Sequence, residues 1–273
     1  MTSRWQIIFT VKNTTTIMEL KSKVGSYDFL VEPFHCDFSH RVFMGHLGNN
    51  LLNAADFHSN ERGYGMSYLN PIHRTWVLSR LVIEMETMPE AYDTISVSTW
   101  VESVKRYFTS RNYAVTDSNG RRCGYGRSIW AMIDTVTRQP VDIMAVRDGL
   151  IMEYIDTETP CPIEPPSRVK MGVGARLVRS VETRYSDVDV NGHINSVKYI
   201  EHILDLWDIE WYRHNDIRRI DIAYVAEAYI GDRLNLYVEQ TADDEYCVRV
   251  AKLSDGAEKD VEACRCKIKF MKK

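Results

Sequence analysis

Two rhythms of apolar residues alternate along this chain, and their order occurs twice. Leu47, Leu51, Ala54 and Ala55 fall at spacings of three and four, one face of an α-helix, with Gly63 as its stop. Stretches rich in β-branched and aromatic residues follow at 75–85, 94–104, 107–116 and 122–134, and these read as strands. The succession then returns. Ile194, Val197, Ile200, Ile203, Leu204 and Trp207 carry the helical spacing, and 219–226, 233–241, 246–253 and 261–271 read as strands. Asn119-Gly120 and Asp255-Gly256 stand at matching places as hairpin turns. Each unit therefore predicts a leading strand, one long helix and an antiparallel meander. An α+β architecture with a sheet curled around a central helix fits that order, and two such units can pair side by side.

A shift in composition marks the join. Half of the eight prolines stand at Pro160, Pro162, Pro165 and Pro166, in a run that can continue neither a helix nor a central strand. It reads as a linker. Across it, Phe38-Ser-His-Arg-Val-Phe-Met-Gly-His-Leu47 echoes Tyr185-Ser-Asp-Val-Asp-Val-Asn-Gly-His-Ile194 at a constant offset of 147.

Bulk properties narrow the function classes. The chain has 273 residues, 44% of them apolar, enough for a substantial core. A net charge of −4 argues against a general nucleic-acid binder. Cys36, Cys123, Cys161, Cys247, Cys264 and Cys266 contain no C-x-x-C spacing and read as reduced, packed thiols. No apolar run is long enough to cross a bilayer, and 5–11 makes a poor signal peptide. A cytoplasmic protein without membrane association is expected. Residues 1–17 are expected to pack poorly or to belong to an over-long start ahead of Met18.

The polar residues that attract chemical interest lie just before the second helix, in Asp187-Val-Asp-Val-Asn-Gly-His-Ile-Asn195. Helix capping requires one such side chain, whereas Asp187, Asp189, Asn191 and His193 supply four. A helix N-terminus favours developing negative charge, an amide can donate to a carbonyl oxygen, and an imidazole titrates near neutrality. Glu227 ends the otherwise apolar stretch Ile222-Ala-Tyr-Val-Ala-Glu-Ala228. Alone it reads best as a surface carboxylate. The first unit changes that judgement. The 147 offset sets Val42 against Asp189, Met44 against Asn191 and His46 against His193; beyond the helix an offset of 139 sets Met88 against Glu227. One polar site and one apolar counterpart follow from this pairing.

Asp187-Val-Asp-Val-Asn-Gly-His-Ile-Asn-Ser-Val-Lys-Tyr-Ile-Glu-His-Ile-Leu204 closely resembles the signature of the acyl-ACP thioesterases of plants and bacteria. The first unit is similar to that family's N-terminal half in Trp76-Val-Leu-Ser-Arg80, Thr99-Trp-Val101, Ser128-Ile-Trp-Ala-Met132 and Asp134-Thr-Val-Thr-Arg138. The resemblance implies a tandem hot-dog fold: an extension over 1–23, a specificity unit over 24–158, a linker over 159–167 and a catalytic unit over 168–273. It implies a catalytic set of Asp189, Asn191, His193 and Glu227, and hydrolysis of fatty acyl-acyl carrier protein in fatty acid biosynthesis. Plant relatives carry a Cys after the Glu; here Ala228 stands there, so an activated water must attack the thioester.

In the implied mechanism Glu227 and His193 activate the water, Asn191 and backbone N–H groups stabilise the oxyanion, and Asp189 orients the network. No metal or organic cofactor is required. Met44, Leu51, Met85 and Met88 are expected to line an acyl tunnel in the first unit. The partner is an acyl carrier protein, with Arg176, Arg179, Arg184 and Lys198 as docking candidates, and a homodimer is left open. Two rivals stand beside this reading. One is an acyl-CoA hydrolase of the 4-hydroxybenzoyl-CoA type, and the other is a non-catalytic hot dog that binds acyl carriers.

Overall fold

Alternating apolar positions can be buried only if neighbouring strands share one face, and the chain satisfies this with a single large sheet. The computed structural model describes the backbone of residues 6–11, 14–254 and 256–273, and side chains from residue 20 onward except at 255. Strands β1 (Gln6–Val11) and β2 (Thr14–Glu19) pair as a separate antiparallel hairpin. The expectation that 1–17 pack poorly concerns side chains outside the described residues, and so does Asp255 of the second hairpin turn.

The first unit contains β3 (Gly25–Leu30), helix α1 (Met44–Glu61), the short helix α2 (Met66–Leu69), and strands β4 (Arg74–Met85), β5 (Thr94–Val104), β6 (Phe108–Thr116) and β7 (Arg122–Asp134). The second contains β8 (Arg176–Glu182), α3 (Ser196–Leu204), α4 (Ile209–His214), β9 (Asn215–Tyr224), β10 (Arg233–Ala242), β11 (Glu245–Leu253) and β12 (Val261–Lys272). The ten-stranded sheet runs β3-β5-β6-β7-β4-β9-β12-β11-β10-β8, so each unit repeats one strand order and the two join through β4 and β9. At the join Leu81 faces Ile222, Val82 faces Asp221 and Ile83 faces Ile220. An offset of 139 exchanges the first and last of these pairs, which is what a local two-fold between the units requires. This is the tandem hot dog.

Both helices contribute to one core. Leu47, Leu51 and Ala54 of α1 and Ile203 of α3 are fully buried, and each Leu or Ile contributes about 1.5–3 kcal/mol by leaving water. The helices approach closely at Gly45, where a Cβ would come within 3.0 Å of Glu201. Helix α1 ends as expected, with Gly63 at φ 77°. The second unit departs from the expected single long helix. Its helix stops at Leu204, and Asp208 caps α4 by accepting from the Trp211 N–H at 2.8 Å. Trp207 lies between the two helices and packs edge-on against Tyr246 and Phe270.

The proline-rich segment crosses the sheet while paired to side chains. Arg127 of β7 donates to the Cys161 carbonyl at 2.6 Å, Arg80 of β4 to that of Ser167 at 2.8 Å, and Arg265 of β12 to that of Val169 at 3.3 Å. Buried Asp221 of β9 accepts from the Ser167 N–H and hydroxyl. A chain that must leave one edge region and start the far edge strand needs such an extended path. The six cysteines are free thiols. No helix among the described residues is long and apolar enough to cross a membrane.

Candidate active site

The turn before α3 is built by Asp189. Its Oδ1 accepts from the backbone N–H of Asn191 at 2.8 Å and of His193 at 3.3 Å, its own N–H donates to the His193 carbonyl at 2.8 Å, and Gly192 sits at φ 81°. The first unit contains the same turn. Asp37 Oδ1 accepts from Ser39 N–H at 2.8 Å and Arg41 N–H at 3.3 Å, Asp37 N–H donates to the Arg41 carbonyl at 2.8 Å, and His40 takes φ 61°. The structural offset is therefore 152.

This corrects the 147 pairing. The counterparts of Asp189, Asn191 and His193 are Asp37, Ser39 and Arg41, not Val42, Met44 and His46. The shared Gly-His letters mislead because the two glycines serve different needs. Gly45 is helical and makes room for α3, whereas Gly192 supplies a left-handed turn. The pairing of Met88 with Glu227 stands: Val42 N–H donates to Pro89 O and Ile194 N–H to Ala228 O, the same bond one residue beyond each.

His193 and Glu227 meet across the turn, with Nε2 and Oε2 3.6 Å apart. Glu227 has three further neighbours. Arg138 forms an ion pair with its Oε1, the Tyr229 hydroxyl donates to Oε2 at 3.1 Å, and Lys252 holds its backbone carbonyl at 2.5 Å. Burial first, then the charge of Glu227, holds the Tyr229 phenol above its usual range. The Tyr229 ring also packs edge-on against His193. Asn191 is exposed, and its amide makes no hydrogen bond among the described residues. Asp187 lies apart: it is buried, bonded to His202 at 3.0 Å and to the Arg184 N–H at 2.7 Å, a structural tie between turn and helix. Asn195 caps α3 through the Val197 N–H.

Arg138 and Tyr229 were not among the expected site residues. Arg138 comes from the first unit, on a turn that Asp134 caps through the Val136 and Thr137 N–H groups. No spacing rule connects it to Glu227, 89 positions away; the only signal was the Asp134–Arg138 stretch within the resemblance.

A cavity of about 1190 Å³ opens at Asp189, Asn191, His193 and Glu227 and continues into the first unit. It passes β4 at Thr75–Ser79 and reaches Leu52, Asp56 and Arg111. The expected tunnel residues do not line it. Met44, Leu51 and Met85 are closed into the core, and Met88 packs against that core. Helical phase explains the miss, because Leu51 turns inward while its neighbour Leu52 reaches the cavity. Of the basic docking candidates, Arg184 pairs with Glu182, Lys198 with Glu201, and Arg179 with the Asp205 carbonyl, while Arg176 is exposed.

Comparison with known proteins gives consistent matches. Residues 23–151 match the model of the acyl-ACP thioesterase N-terminal domain, and 173–272 that of the C-terminal domain. A palmitoyl-acyl carrier protein thioesterase of Arabidopsis thaliana is 29% identical over 67% of this chain and 48% of its own length. The chain thus spans about half the length of the curated relatives it matches. A solved acyl-ACP thioesterase from Bacteroides thetaiotaomicron is 49% identical, covers 91% of this chain and 98% of its own, and superposes with a TM-score of 0.83. A 12:0-ACP thioesterase from Umbellularia californica, 18% identical over 94% of this chain and 100% of its own, has a TM-score of 0.78 and shares the fold.

Proposed function

This chain belongs to the acyl-ACP thioesterase family, and from that premise we propose that it hydrolyses fatty acyl-acyl carrier protein to a free fatty acid and the carrier thiol. The observation that carries the reading is the continuous cavity, which joins His193 and Glu227 to a chamber in the first unit. The thioester lies at the second unit (168–273) and the acyl chain extends into the first (24–158). The carrier's pantetheine arm enters at the mouth beside exposed Val190 and Tyr229.

A water held between His193 and Glu227 attacks the thioester carbon. Its proton passes to this pair, the carbonyl oxygen becomes an oxyanion, and collapse expels the thiolate, which takes the proton back. The free amide of Asn191 faces the oxyanion as a donor. Asp189 acts at one remove: its carboxylate fixes the backbone from which Asn191 and His193 project. Arg138 and Tyr229 hold the Glu227 carboxylate in place, so the first unit contributes to positioning as well as to chain binding. A cysteine nucleophile is disfavoured because Ala228 is fully buried and no cysteine lines the cavity among the described residues.

Release of free thiol from acyl-ACP and acyl-CoA of equal chain length tests the reading. A kcat/KM at least about tenfold higher for the carrier-protein substrate is expected. The reverse order would place the protein with acyl-CoA hydrolases, and binding without thiol release would make it a non-catalytic acyl-carrier binder.

A further inference from the structure

In the first unit the cavity wall carries charged and amide side chains among its apolar ones, which a plain hydrocarbon chain does not need. Helix α1 turns Asn49, Asn53 and Asp56 toward it at spacings of three and four. Arg111 of β6 faces it from the sheet and is 95% buried, with 5% relative exposure. Its Nη1 donates to Thr99 Oγ1 at 3.2 Å, its guanidinium also lies within hydrogen-bonding reach of the Tyr64 phenol, and among the described residues it forms no ion pair. An unpaired buried guanidinium is costly unless something else satisfies its donors. The candidate carboxylate is Asp56, whose pKa burial raises while a hydrogen bond from Asn60 and then the charge of Arg111 lower it, yet Asp56 and Arg111 are not in ion-pair contact. A donor-rich cation and an acceptor carboxylate thus border one space without touching.

We propose that this end of the cavity binds a hydroxyl on the acyl chain, its oxygen accepting from Arg111 and its proton donated to Asp56. The assignment rests on the reading of the site as a thioester hydrolase and names the substrate class within it: hydroxylated acyl chains rather than plain saturated ones. A hydroxyl is the small group that satisfies both walls at once. A methylene satisfies neither and leaves both polar groups without a partner. A terminal carboxylate satisfies Arg111 but meets like charge at Asp56. Sites built to bond a hydroxyl discriminate strongly against the analogue lacking it, because their own polar groups are left unpaired.

The test compares kcat/KM on acyl-ACPs of one chain length: unsubstituted, hydroxylated at successive carbons, and terminally carboxylated. Calorimetric binding of the corresponding free acids runs in parallel. One hydroxylated member should exceed the unsubstituted chain by about tenfold or more. Arg111→Met and Asp56→Leu should each bring that ratio close to one; Asp56 is half-buried, so its variant remains informative if the Arg111 variant fails to fold. A ratio near or below one in the wild type, a ratio unchanged in a folded Asp56→Leu protein, or preference for the carboxylated chain would overturn the proposal. If no thioester of any kind is cleaved, the hydrolase reading fails. The binding ratio then decides the hydroxyl site alone: about tenfold tighter binding of a hydroxy acid supports it, and equal binding removes it.

Discussion

The two Asp-centred turns share one backbone and differ in what their side chains do. In the first unit Arg41 leaves the turn and pairs through both terminal guanidinium nitrogens with Asp216 at the start of β9; Lys273 joins at 3.2 Å. In the second unit His193 leaves from the equivalent position, and the residue matching Asp216 on β4 is Val77, a wall of the cavity. Thus one copy of the symmetric space is filled by an ion pair and the other is left open. An identical scaffold gives a structural joint on one side and a candidate reaction site on the other, and the side chains at 41 and 193 make the difference.

The sharpest way to break this comparison is to remove the groups of the open copy. Glu227→Gln should lower turnover by roughly 10²–10⁴-fold, the range for positioned acid–base groups, as read by thiol release. Asn191→Ala should cost about 10²–10³-fold in kcat if its amide meets the oxyanion. A folded Asn191→Ala protein with full kcat would move that role to the backbone.

The chamber in the first unit allows a subtler contrast, between adjacent residues of α1. Leu52→Trp reaches into the cavity and should shift preference toward shorter acyl chains; pocket length discriminates by about 1–3 kcal/mol per methylene. Leu51→Trp enters a closed core and should cost about 1–3 kcal/mol of stability without changing the chain-length profile. If the two variants gave the same profile, the cavity would not be the acyl site.

The closed copy should report on stability. Arg41→Ala should destabilise by about 1.5–3 kcal/mol in denaturant titration, the range for hydrogen bonds to a charged group, while thiol release continues. The first unit also sets an acid response. His58 of α1 is fully buried, accepting from the Tyr64 hydroxyl and donating to the Lys23 carbonyl. Burial first, with the charges of Arg111 and Arg62, pushes its pKa down to about 2 from an ordinary 6.5. Unfolded chains bind a proton there below pH 6.5 and the native state does not, so stability falls with pH across that window, by about 2 kcal/mol between pH 7 and 5. His58→Gln should flatten the dependence of Tm on pH over that range; an unchanged slope would mean that other groups carry it.

What the sequence revealed follows from which interactions are local. The strand periods and hairpin turns reflect side-chain alternation, and the eight strands expected after the helices lie within a few residues of the observed ones. Asp189, Asn191 and His193 were legible because five consecutive residues carry them. Arg138 was not, since its contact with Glu227 depends on how two units meet. The cavity lining was misjudged for a related reason. Hydrophobicity marks Met44, Leu51 and Met85 for burial but does not distinguish a closed core from a cavity wall. The repeat register failed where matching letters, Gly-His, outweighed the hydrogen bonds that define the turn.

The central claim is that the turn at 189–193 reacts while its twin at 37–41 only holds the units together. Thiol release from acyl-ACP by His193→Ala and Arg41→Ala, each checked for folding by denaturant titration, tests it in one pair of measurements. The account predicts that His193→Ala keeps its stability and loses roughly 10²–10⁴-fold in kcat, whereas Arg41→Ala loses stability and keeps its kcat. Equal losses of kcat in two folded proteins, or a His193→Ala enzyme that turns over at the wild-type rate, would contradict it.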